Sequence, residues 1–380
     1  MSADILRFPT PPSRLALRLE WFAADRSVLL MIWALYFALR VAVLMIDVTP
    51  TAEAATYFGL AAGTGGPHPA LLPPGWPVAL SLAFAQFGAS PVTTGLFNLA
   101  SAMLTGLLTL ALGRRLLRNE AAARAGLLLL ALYPNAIGYV PLALPEVFTT
   151  ALLLAGCWTA VTRTRRWQLV TAGLLFGFAA LASPQTLIVI PLIFAIEALS
   201  ERRSRTLASR SPGEGLMVLG VALLTVLPWA AGHHQAIADR TETLTISPHE
   251  ALTNLIRLWG TDGEAQAAYR AGAPGYARFE AAYSAIHFAN LIWYAALMLA
   301  FVAAFLVMLA KRRRNGQRQA GWWLLPYGIA LYPTLICLVF SGQSRFHYPV
   351  MPFVCMSAGW LGMTLWNHLA ERGRPGPTLH

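Results

Sequence analysis

The sequence predicts an all-α integral membrane protein with about ten membrane-crossing helices. Of its 380 residues, 57% are hydrophobic and only 12% are charged, and the mean hydropathy is +0.55. This composition excludes an ordinary soluble domain and is typical of chains with many long apolar runs. The net charge of +11 also raises nucleic acid as a partner, so the positions of the basic residues have to decide between nucleic acid and membrane.

Ten apolar runs approach the length that a helix needs to cross the hydrocarbon core of a bilayer, which is about 20 residues. They lie at 27–46, 92–113, 121–140, 145–162, 167–183, 184–200, 215–232, 285–310, 321–341 and 348–369. A shorter run at 76–88 is predicted to dip into the membrane or to lie in its interface.

The basic residues are distributed asymmetrically between the connecting segments. If the N-terminus is cytoplasmic, 22 of the 28 Lys and Arg residues fall in cytoplasmic segments, as the positive-inside rule requires. We therefore expect a cytoplasmic N-terminal segment at 1–26, a single transmembrane domain at 27–369 and a cytoplasmic tail at 370–380. The positive charge then reflects topology and contact with anionic membrane lipids, and no nucleic acid partner is expected.

Two long connecting segments lie on the outer side in this arrangement, at 47–91 and at 233–284. The second contains "SPHEALTNLIRLWG", in which apolar residues recur at helical spacing: Leu252, Leu255, Ile256 and Trp259. This pattern predicts an amphipathic helix on the outer membrane surface.

This orientation can be tested by labelling with a membrane-impermeant maleimide in intact cells. A cysteine introduced at Ser247 should react, because it lies in the outer segment at 233–284, whereas one introduced at Ser204 should be protected on the cytoplasmic side. The three native cysteines all lie inside apolar runs and should give little background. The reverse labelling pattern would overturn the orientation.

Acidic residues are few on the outer face before the second long segment. Asp47, Glu53 and Glu146 are the candidates for chemistry. Glu53 follows Thr51 at the start of a short predicted helix, where it either complements the helix dipole or serves as a general base. Asp47 fits a simple interfacial stop, and Glu146, directly after Pro145, fits either helix capping or a site carboxylate.

Two arginines lie at unusual depths on the outer side. Arg345 stands in "SGQSRFHYPVMPF", where Pro349 and Pro352 should bend the start of the last helix and leave backbone N–H groups free. With the planar fork of arginine, this favours a phosphate site at headgroup depth, either for a substrate or for an ordinary phospholipid. Arg40 lies within the first span, and either snorkels or pairs with Asp47 or Glu53.

Metal or cofactor chemistry has only a weak signal. His68, His233 and His234 lie on the same outer side, but their spacing is not that of a zinc site. No cofactor is indicated by these residues, and a divalent metal ion is left open.

Several motifs resemble those of polytopic GT-C glycosyltransferases, the bacterial relatives of protein O-mannosyltransferases and of the aminoarabinose and galacturonic-acid transferases of lipopolysaccharide. "SRFHYPVMPF" resembles their Arg-Phe-Arg-x-Pro-x-x-Pro-Phe signature near the last helix. "AEAATYFGLA" is similar to their first-loop Asp-x-x-x-Tyr-x-x-x-Ala, and "PPGWPVALSLAFAQFG" to the Pro-Pro-Gly-Tyr-Pro segment that follows. "LYPNAIGYVPLALPEVFTTALLL" is similar to their Tyr-Pro…Ser-Glu-Thr-Leu-Phe stretch. Four motifs in the family's order imply a GT-C-like fold with interfacial helices on the outer, periplasmic face.

The resemblance also implies roles for individual residues. Such enzymes transfer a sugar from a polyprenyl-phosphate donor to a lipid, glycan or protein acceptor at the outer face of the bacterial inner membrane. Glu53 would be the base, with Asp47 as the alternative, and Glu146 would be a supporting acid or metal contact. Arg345 and His347 would bind the donor phosphate.

Further substrate contacts are expected from Tyr57, His68, Trp76 and Arg40. The chain departs from the family at Glu53, where the family has Asp. It also departs at Ser183 and His347, where the family has Arg.

Two other functions fit the same outer polar face. One is a transporter or flippase for lipid-linked sugars, although transporters place polar groups near mid-membrane and have duplicated halves, neither of which is evident here. The other is a catalytically inactive protein that binds a lipid-linked sugar. The identities of the sugar and of the acceptor are open.

Overall fold

The protein is all-helical in a computed structural model, which describes residues 14–65, 72–201, 213–233, 247–315, 321–338, 340 and 342–372. Over these residues it contains α-helices and short 3-10 segments and no β-strand, which confirms the predicted fold class.

The described α-helices are numbered here in chain order. They are α1 (Arg14–Ala24), α2 (Arg26–Leu44), α3 (Ala52–Ala62), α4 (Gly75–Phe87), α5 (Pro91–Leu117), α6 (Glu120–Ala131), α7 (Pro134–Gly138), α8 (Glu146–Thr162), α9 (Trp167–Ala182), α10 (Val189–Glu201), α11 (Gly213–Gly232), α12 (Pro248–Trp259), α13 (Glu264–Gly272), α14 (Glu280–Asn315), α15 (Leu325–Cys337) and α16 (Met351–Arg372). The 3-10 segments are Pro184–Ile188, Tyr276–Phe279, Gly321–Leu324 and Ser344–Val350.

Each of the ten predicted apolar runs falls on helical structure. By length and hydropathy, four described helices are long and apolar enough to cross a membrane, namely α2, α5, α11 and the continuous stretch Tyr276–Arg314. Large apolar side chains on several of these helices face outward, including Leu30, Leu224 and Leu299 at 68%, 67% and 73% exposure. An apolar surface of this kind fits contact with lipid. The full count of ten crossings stays a prediction.

The third predicted run, 121–140, is not one continuous helix. α6 ends at Ala131, and α7 begins at Pro134. Proline has no N–H to continue the helical ladder, and it disfavours helical geometry in the residue before it. The break leaves carbonyl groups free at the end of α6, in the protein interior.

Glycine permits the closest helix contacts. A Cβ at Gly359 of α16 would lie 2.5 Å from the backbone nitrogen of Gly126 on α6, so these two helices touch through their backbones. A Cβ at Gly75, at the start of α4, would lie 2.6 Å from the carbonyl carbon of Leu181 near the end of α9. A larger residue would push α4 away from α9, beside the cavity described below.

The amphipathic segment predicted at 247–260 forms α12. Ser247 caps it, its side chain accepting a hydrogen bond from the backbone N–H of Glu250. Asn254 donates to the carbonyl of Phe340 at 2.9 Å, and the indole of Trp259 donates to Thr334 at 3.1 Å. These contacts fix α12 against α15. Its location at the outer membrane surface stays a prediction.

Candidate active site

A cavity of about 710 Å³ lies where α3 meets the ends of α8, α9 and α15 and the 3-10 segment Ser344–Val350. Its lining includes the apolar side chains of Leu72, Ile188, Ile336 and Phe340. It also includes polar and charged side chains: Glu53, Tyr57, Glu146, Gln185, Gln343 and Arg345. The volume falls within the range of small-molecule sites, about 300–1,000 Å³.

Arg345 lies between two carboxylates in this cavity. Its Nη2 is 2.6 Å from Oε2 of Glu53, and its Nε is 3.8 Å from Oε1 of Glu146. Its Nε also donates to Oε1 of Gln343 at 2.7 Å. Burial by itself lowers the pKa of Arg345, but the charges of Glu146 and Glu53 outweigh it and hold the pKa above its ordinary value. The guanidinium is therefore a permanent cation.

The two carboxylates differ in exposure. The Glu53 side chain is 39% exposed, whereas that of Glu146 is 7% exposed. Oε2 of Glu146 is buried and has no hydrogen-bond partner among the described residues. Glu53 is thus the more accessible carboxylate of the cavity. Ala52, just before Glu53, has a φ of 50°, in the left-handed region that non-glycine residues rarely adopt.

The loop before Glu146 is held from two sides. The indole N–H of Trp76 donates to the carbonyl of Ala143 at 3.3 Å, and Nδ2 of Asn98 donates to the carbonyl of Leu142 at 2.8 Å. Trp76 is fully buried and does not line the cavity, so it supports the Glu146 loop instead of contacting a ligand there.

Tyr57 lines the cavity one helical turn after Glu53 and is buried. Burial, the charges of Glu53 and Glu146 and a hydrogen bond to Glu53 raise its pKa well above the ordinary value. Its hydroxyl therefore stays protonated and remains a hydrogen-bond donor in the site.

Asp47 and His68 are not brought to this cavity. Asp47 is exposed between α2 and α3 and does not line it. His68 lies outside the described residues. The structure thus separates Asp47 from Glu53, although the two are only six residues apart.

Arg40 forms no ion pair with Asp47 or Glu53 within the described parts of the chain, contrary to the expected alternative. Its guanidinium lies over the ring of Tyr36, 3.4 Å from the centroid. Nη2 donates to the carbonyl of Leu130 at 3.1 Å and Nη1 to that of Ala131 at 3.5 Å. Arg40 therefore caps the free end of α6 at the break, a position that favours positive charge.

His347 does not face the cavity either, which corrects its expected contact with the donor phosphate. The residue is 0% exposed, its Nδ1 lies 2.6 Å from the carbonyl oxygen of Leu258, and its Nε2 lies 3.3 Å from Oδ1 of Asp262. In a turn of 3-10 helix, residues two apart point to different sides, so Arg345 and His347 diverge.

Asp262 is the polar residue that the sequence did not single out. It is 1% exposed and lies between α12 and α13, in the short segment "GTDGEA". An acid in a polar loop is ordinarily solvated, and no pattern in the sequence signals its burial.

No group of three or more His, Cys, Asp or Glu residues close enough to hold a metal ion occurs among the described residues. The carboxylates of Glu53 and Glu146 are engaged instead with Arg345. The described part of the cavity therefore offers a guanidinium–carboxylate site.

The family model described as dolichyl-phosphate-mannose-protein mannosyltransferase matches residues 69–231, less than half of the chain. No curated protein matches the chain.

Solved structures resemble the chain over most of its length. ArnT from Cupriavidus metallidurans in the apo state has a TM-score of 0.57 at 13% identity, covering 89% of this chain and 60% of that one. The same protein bound to undecaprenyl phosphate has a TM-score of 0.55. The Archaeoglobus fulgidus oligosaccharyltransferase in the apo form has a TM-score of 0.55 at 14% identity, covering 92% of this chain and 52% of that one.

The chain spans about half to three-fifths of the length of these proteins. At such low identity the likeness concerns the fold, and the apolar helices agree with it. The chain is a membrane-embedded protein with the GT-C fold of polytopic membrane glycosyltransferases.

Proposed function

We propose that the protein is a membrane glycosyltransferase that moves a sugar from a polyprenyl-phosphate-linked donor to a hydroxyl group of a lipid, glycan or protein acceptor. The observation that carries this proposal is the position of Arg345 between Glu53 and Glu146 in a cavity that is also lined by apolar side chains. A prenyl chain suits the apolar lining, and a phosphate suits the guanidinium fork.

The relatives support this proposal at the level of the fold. One solved ArnT structure is described as bound to undecaprenyl phosphate, and one Archaeoglobus fulgidus oligosaccharyltransferase structure carries a tethered acceptor peptide. Both kinds of ligand, a lipid phosphate and an acceptor, suit a site that combines a cation with an accessible carboxylate.

The ion pair in the free protein suggests how the donor enters. Nη2 of Arg345 is already bonded to Glu53, and we expect the donor phosphate to displace Glu53 from that side of the guanidinium. Glu146 stays on the other side and continues to hold Arg345. Donor binding thereby releases Glu53 from its cation and leaves it free to accept a proton.

The reaction we propose is a direct displacement. The oxygen of the acceptor hydroxyl attacks the anomeric carbon of the donor sugar, and the bond from that carbon to the phosphate oxygen breaks. The electron pair of this bond stays on the phosphate, where Arg345 stabilises the developing charge. The hydroxyl proton passes to Glu53. Such a single displacement inverts the anomeric centre.

The proposed location is the bacterial inner membrane, with both termini cytoplasmic and the cavity on the outer side. The helix ends that form the cavity are those predicted to be outer, including the start of α8 at Glu146 and the segment before Pro349. A donor carried in the outer leaflet reaches the cavity from that side.

The test uses purified protein in lipid nanodiscs, a polyprenyl-phosphate donor with a radiolabelled sugar, and a membrane extract as the source of acceptors. The expected result is free polyprenyl phosphate together with label on an acceptor. In sealed vesicles, a transporter would instead carry the intact donor between leaflets. Translocation without loss of the sugar, or donor binding with no product at all, would overturn the proposal.

A further inference from the structure

Close to Arg345 in the chain, the imidazole of His347 is buried against the carboxylate of Asp262. Nε2 of His347 is 3.3 Å from Oδ1 of Asp262, and the two side chains are 0% and 1% exposed. His347 belongs to the 3-10 segment Ser344–Val350, whereas Asp262 lies between α12 and α13. The pair therefore joins two segments that are 85 positions apart in the chain.

Asp262 also accepts hydrogen bonds from side chains of other elements. Its carboxylate accepts hydrogen bonds from the hydroxyl of Tyr133 and from Nδ2 of Asn135, which flank Pro134 at the break between α6 and α7. Nδ2 of Asn290 on α14 lies 3.2 Å from Oδ2 and 2.7 Å from the backbone carbonyl of Asp262. One buried carboxylate thus connects four parts of the fold.

The ring of His347 lies between a carbonyl and a carboxylate. A carbonyl oxygen only accepts, so Nδ1, at 2.6 Å from the oxygen of Leu258, carries a proton. Nε2 is buried and lies 3.3 Å from Oδ1 of Asp262, without a hydrogen bond in the described residues. No other basic side chain lies within ion-pair distance of Asp262 in the described residues, so His347 is its one basic neighbour there.

Two aromatic rings fix the orientation of the imidazole. The ring of His347 stacks with Trp259, with centroids 5.6 Å apart and planes at 13°. It also stacks with Tyr294, at 5.0 Å and 22°. Stacked rings of this kind hold the side chain in one orientation.

We infer that Asp262 and His347 are positioning residues for donor binding, which hold the segment Ser344–Val350 so that Arg345 projects into the cavity. This inference rests on the proposed function. His347 lies two residues after Arg345, and its buried ring contacts the carbonyl of Leu258 and the carboxylate of Asp262. A small displacement at a binding group is enough to lose much of its effect. The pair thereby connects the predicted outer segment, which contains α12 and α13, to the proposed phosphate site.

The test is a double-mutant cycle on donor binding. Asp262→Asn keeps the shape and removes the charge, and Glu250→Gln is the control, an exposed acid at the start of α12 without an ion pair in the described chain. Dissociation constants are measured by tryptophan fluorescence with polyprenyl phosphate in nanodiscs, for each change in the wild-type and Arg345→Ala backgrounds. The prenyl chain is expected to keep binding measurable in the second background.

Asp262→Asn is expected to weaken binding about fivefold or more in the wild-type background, as coupled neighbours do, and to have no further effect once Arg345 is absent. Glu250→Gln should change the affinity in neither background. Equal weakening in both backgrounds would mean that Asp262 acts independently of Arg345 and would overturn the inference, as would no weakening in the wild-type background.

Two further measurements keep the outcomes distinct. If Asp262→Asn lowers the melting temperature too far, the neutral double variant Asp262→Asn with His347→Gln leaves no buried unpaired charge and takes its place in the cycle. If Arg345→Ala by itself leaves binding unchanged, the phosphate site of the proposed function is wrong. A failure of the proposed function is thereby separated from a failure of the inference.

Discussion

Replacing Glu53 with glutamine is expected to slow sugar transfer about 100-fold or more, because general-base catalysis contributes about 10²- to 10⁴-fold to a rate. Glutamine keeps the shape of the side chain but cannot take the proton of the acceptor hydroxyl. The donor should bind as tightly as before or more tightly, since Glu53 lies 2.6 Å from Arg345 and competes with the phosphate. A partly exposed ion pair is worth about 0.2–1 kcal/mol, so the gain is at most about fivefold.

This combination of slower transfer with undiminished binding separates a base from a structural carboxylate. Turnover and donor affinity are measured on the same purified preparations. Asp47→Asn is the matched control, because Asp47 is an exposed carboxylate outside the cavity and should leave both quantities near those of the wild type. Near-normal turnover of the Glu53 variant would transfer the role of base to Glu146, the other carboxylate of the cavity.

The helical organisation was largely predictable because apolar length alone marks helices in a membrane protein. The amphipathic helix α12 also followed from its spacing of apolar residues. The break between α6 and α7 was missed although Pro134 marks it, since the apolar run continues across the proline without a change in composition. Hydropathy measures how favourably a residue transfers into lipid. It carries no information on where the helical backbone hydrogen bonds end.

The candidate site was predictable in part, for a related reason. Glu53, Glu146 and Arg345 are polar residues at the predicted outer ends of apolar runs, so the topology already places them on one side. Arg40 and His347 satisfied the same criterion, yet both point into the protein, toward carbonyls at the α6 break and toward Asp262. The direction of a side chain depends on packing between distant segments, which one sequence does not reveal.

Replacing Arg345 with lysine is expected to weaken donor binding about 10- to 150-fold, the effect of losing a charge-assisted hydrogen bond worth about 1.5–3 kcal/mol. An ammonium is a point charge, whereas the guanidinium bonds Gln343 through Nε while Nη2 bonds Glu53, the position that we propose for the donor phosphate. Turnover should fall as well if the contact tightens while the phosphate leaves. Lysine keeps a cation near Glu146, so the melting temperature should change little.

The alanine variant also removes the cation that lies 3.8 Å from the buried carboxylate of Glu146. An unpaired buried carboxylate destabilises a protein strongly, so Arg345→Ala is compared with the double variant Arg345→Ala, Glu146→Gln, in which that charge is absent. Both should bind polyprenyl phosphate more weakly than wild type, and the double variant should recover the melting temperature. Arg257→Ala, at an exposed arginine on α12, controls for the loss of one positive charge. Wild-type affinity in the lysine, alanine and double variants would place the phosphate site elsewhere. Weak binding by the alanine variant alone, with affinity and stability both recovered in the double variant, would make Arg345 a structural partner of Glu146.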